Sequence, residues 1–148
     1  MQIRKSRSSI STFIFIACGV WLIGLGIYFM FLRPPLLPED LRYIGISRDE
    51  IQLALPGLAR WLHRVFTVMG GFMTAAGLLT IAVAMKESAV REKRTLIVLA
   101  VTGLFTVGTM SLTNFQINSD FKWLLLIPFL LWVAGIVFST ARRVSRRP

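Results

Sequence analysis

The chain has 148 residues, 55% of them hydrophobic and only 16% charged, with a formal net charge of +10. A soluble domain carries about a quarter charged residues, and the basic residues here fall in short groups between apolar runs. A basic nucleic-acid-binding face is therefore excluded. One cysteine and one histidine cannot form a disulfide framework, a four-ligand structural zinc site or a bis-histidine haem site.

The basic N-terminus, with Arg4, Lys5 and Arg7, leads into Ile10–Leu32, 23 residues without a charge. That is too long for the ~7–15-residue core of a cleaved signal, and no small-residue cleavage site follows it. The stretch FIACG around Cys18 looks like a lipoprotein processing site, but the chain stays apolar beyond it. The expectation is an uncleaved span with a buried thiol.

The segment 33–64 is a cap. Pro34-Pro35 stops the first helix. Pro38-Glu39-Asp40 reads as a helix start, because proline suits the first turn and carboxylates there favour the positive end of the helix dipole. Gly45 allows a turn, and Ser47 three residues before Glu50 makes a capping-box pattern. Pro56-Gly57 interrupts the second short helix, after which Leu58–Arg64 leads into the next span without a breaker. One or two short interfacial helices are expected here, lying on the bundle or in the headgroup layer.

Three further apolar runs follow: Val65–Met85 with 21 residues, Thr95–Thr113 with 19 and Trp123–Ala141 with 19. About 20 helical residues cross a ~30 Å hydrocarbon core, and backbone in lipid must satisfy itself. The fold expected is all-α, a four-helix transmembrane bundle of up-down topology. It forms one integral membrane domain with spans at about 10–32, 65–85, 95–113 and 121–141.

The N-terminus, the 86–94 loop and the C-terminal tail together carry 11 Lys and Arg against 6 in the cap and the 114–122 loop, for net charges of +9 and +1. By the positive-inside rule both termini are expected in the cytoplasm. Arg142, Arg143, Arg146 and Arg147 of the tail read as an anchor beside an anionic leaflet. Trp61 and Trp123 occupy aromatic-belt positions, whereas Trp21 and Trp132 fall near mid-span. Those two either face lipid or pack on each other, or else turn their indole N–H groups to hydroxyls of spans two and three.

Thr67, Gly70, Thr74 and Gly77 on span two, and Thr102, Thr106 and Thr109 (with Thr113) on span three, recur at spacings of three and four. Gly71 and Ala75 add a small-xxx-small pair. Such seams let backbones approach in lipid, so spans two and three are expected to form the tight centre as antiparallel neighbours. Gly19 and Gly26 lie one heptad apart on span one.

No Asp, Glu, Lys, Arg or His interrupts any of the four runs. Ion-coupled pumps and proton relays place ionisable groups within the membrane. The chain thus departs from four-span multidrug transporters with a glutamate in the first helix, and from four-span quinone reductases with paired cysteines. Neither a phosphate-binding glycine loop nor a Ser-His-Asp set is present. Catalytic, cofactor and metal residues are therefore not assigned. The remaining polar groups form a candidate cluster at the cap end: Glu39, Asp40, Arg60, His63, Arg64, Asn114, Asp120 and Lys122, with an Arg64–Asp120 pair at its centre. The competing reading treats them as helix caps and lipid anchors.

The segments LRPPLLPEDLRYIG, LARWLHRVFTVMGG and NSDFKWLLL resemble those of an uncharacterised family of small bacterial four-span proteins. The resemblance implies a bacterial inner membrane and nothing about chemistry. The function expected is a non-enzymatic accessory, scaffold or interaction subunit. Its partners are the lipid bilayer and a second copy or another membrane protein. An oligomeric carrier or channel for a small solute is the alternative, and an enzyme at the outer leaflet comes third.

Overall fold

The computed structural model describes residues 10–86 and 92–144, with side chains through Ala141. The basic groups Arg4, Lys5 and Arg7, the loop residues Glu87 and Arg91, and the tail's Arg146 and Arg147 lie outside the described residues, as do the side chains of Arg142 and Arg143. All regular structure in the described residues is helical. Span one is α1, Ile10–Phe31. The cap holds α2, Pro38–Ile44, and α3, Arg48–Ala54. Span two is α4, Leu58–Met85. Span three runs through α5, Lys93–Gly103, a π-helical turn at Leu104–Gly108, and α6, Thr109–Gln116. Span four is α7, Lys122–Val144.

Four of these helices are long and apolar enough to cross a membrane. The protein is an all-α four-helix membrane bundle. Its second span starts well before the apolar run. At 28 residues and ~1.5 Å per residue, α4 is ~42 Å long, so its first turns stand clear of a ~30 Å hydrocarbon core.

The local signals in the cap act as physical chemistry requires. Asp40 accepts a hydrogen bond from the Leu37 N–H at 2.9 Å and closes the first turn of α2. Gly45 ends that helix in the left-handed region, φ 76°, where a side chain would be strained. Glu50 accepts from the Ser47 N–H at 2.9 Å, and Ser47 Oγ accepts from the Glu50 N–H at 3.2 Å. Arg48 ties α3 to the linker between α1 and α2 through the Leu36 carbonyl, 3.1 Å away.

The tight centre is α1 against α4, which corrects the expected pairing of spans two and three. Gly19 faces Gly77 and Gly26 faces Gly70. A Cβ on Gly26 would lie 2.6 Å from the Gly70 carbonyl oxygen, and one on Gly77 would lie 2.6 Å from that of Gly19. Two glycines one heptad apart on each antiparallel helix thus let backbone meet backbone. Gly70 and Gly77 of the expected seam lie in this interface. Thr74 lies against Gly26 but donates its hydroxyl to the Gly70 carbonyl of its own helix at 2.9 Å. Thr67 donates likewise to His63. Gly71 and Ala75 are exposed, and a Cβ on Gly71 would meet nothing.

Span three packs on α7. Its threonines do not interlock with α4: Thr106 donates to the Thr102 carbonyl at 2.7 Å and Thr109 to that of Phe105 at 2.9 Å. Trp132 of α7 is 2% exposed and donates from Nε1 to the Leu99 carbonyl at 2.8 Å. This corrects both expectations for Trp132, which neither faces lipid nor bonds a hydroxyl. The partner is backbone, and the indole fits because Gly103 has no side chain: a Cβ there would be 2.7 Å from Trp132 Cε2. The π-helical turn begins at the next residue.

Phe15, Cys18, Leu22, Ala84, Leu99, Val107 and Trp132 form the buried core. Phe15 and Trp132 meet edge to face with centroids 5.8 Å apart. Cys18 is buried, and its Sγ lies 3.8 Å from the Pro128 carbonyl oxygen. The half of the bundle away from the cap is thus closed by large side chains.

Candidate functional site: a lateral cleft under the cap

Toward the cap the bundle opens. α4 is held by α1 and span three is held by α7, so nothing draws α4 and α6 together. Between them lies a cleft of about 970 Å³. Tyr28, Phe29, Phe66 and Met69 line one wall, and Phe105 and Met110 line the other. Along α4 the lining runs from Leu62 to Ala76, which at ~1.5 Å per residue is ~21 Å. With headgroups a bilayer is ~40–45 Å thick, so the cleft is about one leaflet deep. Trp21 lies in its lining, and the indole nitrogen is buried without a hydrogen-bond partner.

The roof is polar. Arg33, just past the end of α1, bonds Asp40 at 3.1 Å and donates to the Pro34 carbonyl at 3.0 Å. Its guanidinium lies 3.8 Å from the centroid of Phe66 and 5.3 Å from that of Phe29. A cation over an aromatic face is worth ~0.5–2 kcal/mol, more as water is excluded. The Arg33 side chain is only 10% accessible. One residue thereby joins the tail of α1, the start of α2 and the face of α4.

Glu39, beside Asp40, is 2% exposed and accepts a hydrogen bond from the Ser119 hydroxyl at 3.1 Å. Ser119 sits in the α6–α7 loop, where its Oγ also accepts from the Phe121 N–H at 3.2 Å. Its neighbour Asn118 takes a left-handed conformation, φ 51°, which asparagine tolerates better than most residues. The loop therefore closes over the cap end of the cleft and meets α2.

The candidate cluster divides in two. Glu39, Asp40 and Asn114 line the cleft. Asn114 donates its amide to the Met110 carbonyl at 2.9 Å. Arg60, His63 and Arg64 are exposed on the first turns of α4 and join no ion pair among the described residues. Lys122 donates to Asn118. Asp120 pairs with Arg42 of α2 at 2.7 Å, so the expected Arg64–Asp120 pair is replaced by one from the cap helix. Both partners are more than half accessible.

Arg33, Ser119, Trp21 and Phe66 belong to the cleft and stand outside the candidate set. Arg33 reads in sequence as the water boundary of span one. Its spacing of seven residues to Asp40, across three prolines, is the signal that could have linked them. No family model, curated protein or solved structure matches the chain.

Proposed function

We propose that this protein is a non-enzymatic membrane subunit that holds one lipid-like amphiphile in the cleft under its cap. The dimensions of the cleft carry this reading. A partner transmembrane helix needs the full ~30 Å core and, with side chains, a cylinder ~10–12 Å across. The volume of about 970 Å³ holds roughly two turns of such a helix. It falls at the upper end of the ~300–1,000 Å³ usual for small-molecule sites, and its depth matches one leaflet. Apolar walls suit a hydrocarbon tail, and the Arg33–Asp40–Glu39 roof suits a polar head.

Two observations weigh against the solute-carrier reading. Of the threonine hydroxyls on the cleft wall, those of Thr106 and Thr109 are spent on their own helix backbone, and the far half of the bundle is filled by the Phe15–Trp132 core. We place the protein in a bacterial inner membrane on the resemblance of its segments to small bacterial four-span proteins, and both termini in the cytoplasm on the support of its Lys and Arg distribution. That puts the cleft in the outer leaflet. The test is native mass spectrometry of the full chain. We expect one tightly retained lipid per chain, lost when Thr109→Phe and Ala76→Phe fill the cleft. A lipid-free wild-type protein, or solute flux in reconstituted vesicles, would refute the reading.

A further inference from the structure

We infer that the head of the bound amphiphile is an ammonium paired with Glu39, so that the occupant is an ethanolamine-type phospholipid; this rests on the cleft holding a lipid at all. Glu39 is 2% exposed, yet the Ser119 hydroxyl is its single side-chain hydrogen-bond partner among the described residues. That bond uses Oε1. A carboxylate has about four acceptor positions across its two oxygens, and a buried one is stable only when paired or fully hydrogen-bonded.

Among the described residues the one cation lining the cleft is Arg33, and it is engaged with Asp40, the Pro34 carbonyl and the face of Phe66. Arg33, Asp40 and Glu39 are, among the described residues, the charged side chains of the lining, and their formal charges sum to −1. An anionic head meets like charge there. A quaternary ammonium brings charge but no N–H, and an alcohol brings a donor but no charge. A primary ammonium brings both, and charge-assisted hydrogen bonds are about twice as strong as neutral ones.

The experiment uses the full chain in nanodiscs of equal phosphatidylethanolamine, phosphatidylcholine and phosphatidylglycerol, followed by native mass spectrometry of the retained lipid. We expect ethanolamine lipid to be retained over each of the others by about tenfold or more, the range set by one hydrogen bond to a charged group. Glu39→Gln should bring that ratio close to the input mixture, whereas Arg60→Gln, on the exposed face of α4 outside the cleft, should keep the preference. The choline comparison needs no substitution, because it exchanges N–H for methyl at constant charge, so it decides the matter even if Glu39→Gln fails to fold. Equal retention of choline lipid, preference for glycerol lipid, or displacement by diacylglycerol would overturn the ammonium assignment alone. Absence of any retained lipid would overturn the cleft reading beneath it.

Discussion

The α1–α4 interface gives the sharpest test of the architecture. In Gly26→Ala the new methyl would lie 2.6 Å from the Gly70 carbonyl oxygen, and in Gly77→Ala it would lie 2.6 Å from that of Gly19. Both obstacles are backbone, so no rotamer change relieves them and the helices must separate. Overpacking costs ~1–3 kcal/mol, and rigid backbone contact points to the upper end, ~3 kcal/mol. Alanine recovers ~1 kcal/mol over glycine in a helix. The net loss is ~2 kcal/mol per site, which for a chain of this size lowers Tm by about 4–8 °C. Gly24→Ala and Gly71→Ala are the matched controls, because a Cβ at either position meets nothing. They should melt at or slightly above the wild-type temperature. Thermal unfolding of all four variants in one detergent, followed by circular dichroism, makes the comparison. Equal melting of interface and control variants would refute the reasoning.

Two other outcomes follow from the cap. Asp120→Arg combined with Arg42→Asp should restore whatever either single reversal loses, with a double-mutant coupling of at most ~1 kcal/mol that fades in high salt, since both partners are largely exposed; coupling of Asp120 to Arg64 instead would contradict the observed pairing. The Glu50 carboxyl is held below its ordinary value of 4.5, first by the Ser47 hydroxyl and then by the Ser47 backbone N–H. Because the folded value is the lower one, the α3 cap contributes fully above the unfolded Glu range and is lost as pH falls through the folded value. Carboxyl NMR titration should show Glu50 returning toward 4.5 in Ser47→Ala, and an unchanged titration would disprove the cap's role.

Legibility in the sequence tracks how local each cause is. The spans, the breaks at Pro34-Pro35 and Pro56-Gly57, the Gly45 turn and the Ser47–Glu50 box each depend on a few consecutive residues. Each has its counterpart in the structure, although the helix of span two begins at Leu58, ahead of its apolar run. The candidate polar set was readable in part: Glu39, Asp40 and Asn114 reach the cleft, whereas Arg60, His63 and Arg64 do not. Which pairs form was not readable. Arg42 and Asp120 are 78 positions apart, and Glu39 and Ser119 are 80 apart. A threonine row looks like a packing seam whether it faces another helix or satisfies itself on its own backbone.

Hydropathy, basic-residue distribution and turn chemistry by themselves determined that this is a four-span helical membrane protein with an ordered cap between its first two spans. Only the tertiary structure decided that α1, rather than span three, grips α4, and that a cleft about one leaflet deep results. The physical reason lies in the solvent. In lipid every apolar face is equally content, so helix pairing is chosen by close contact and hydrogen bonding between residues far apart in the chain. Those contacts exist only once Gly19, Gly26, Gly70 and Gly77 have been brought face to face.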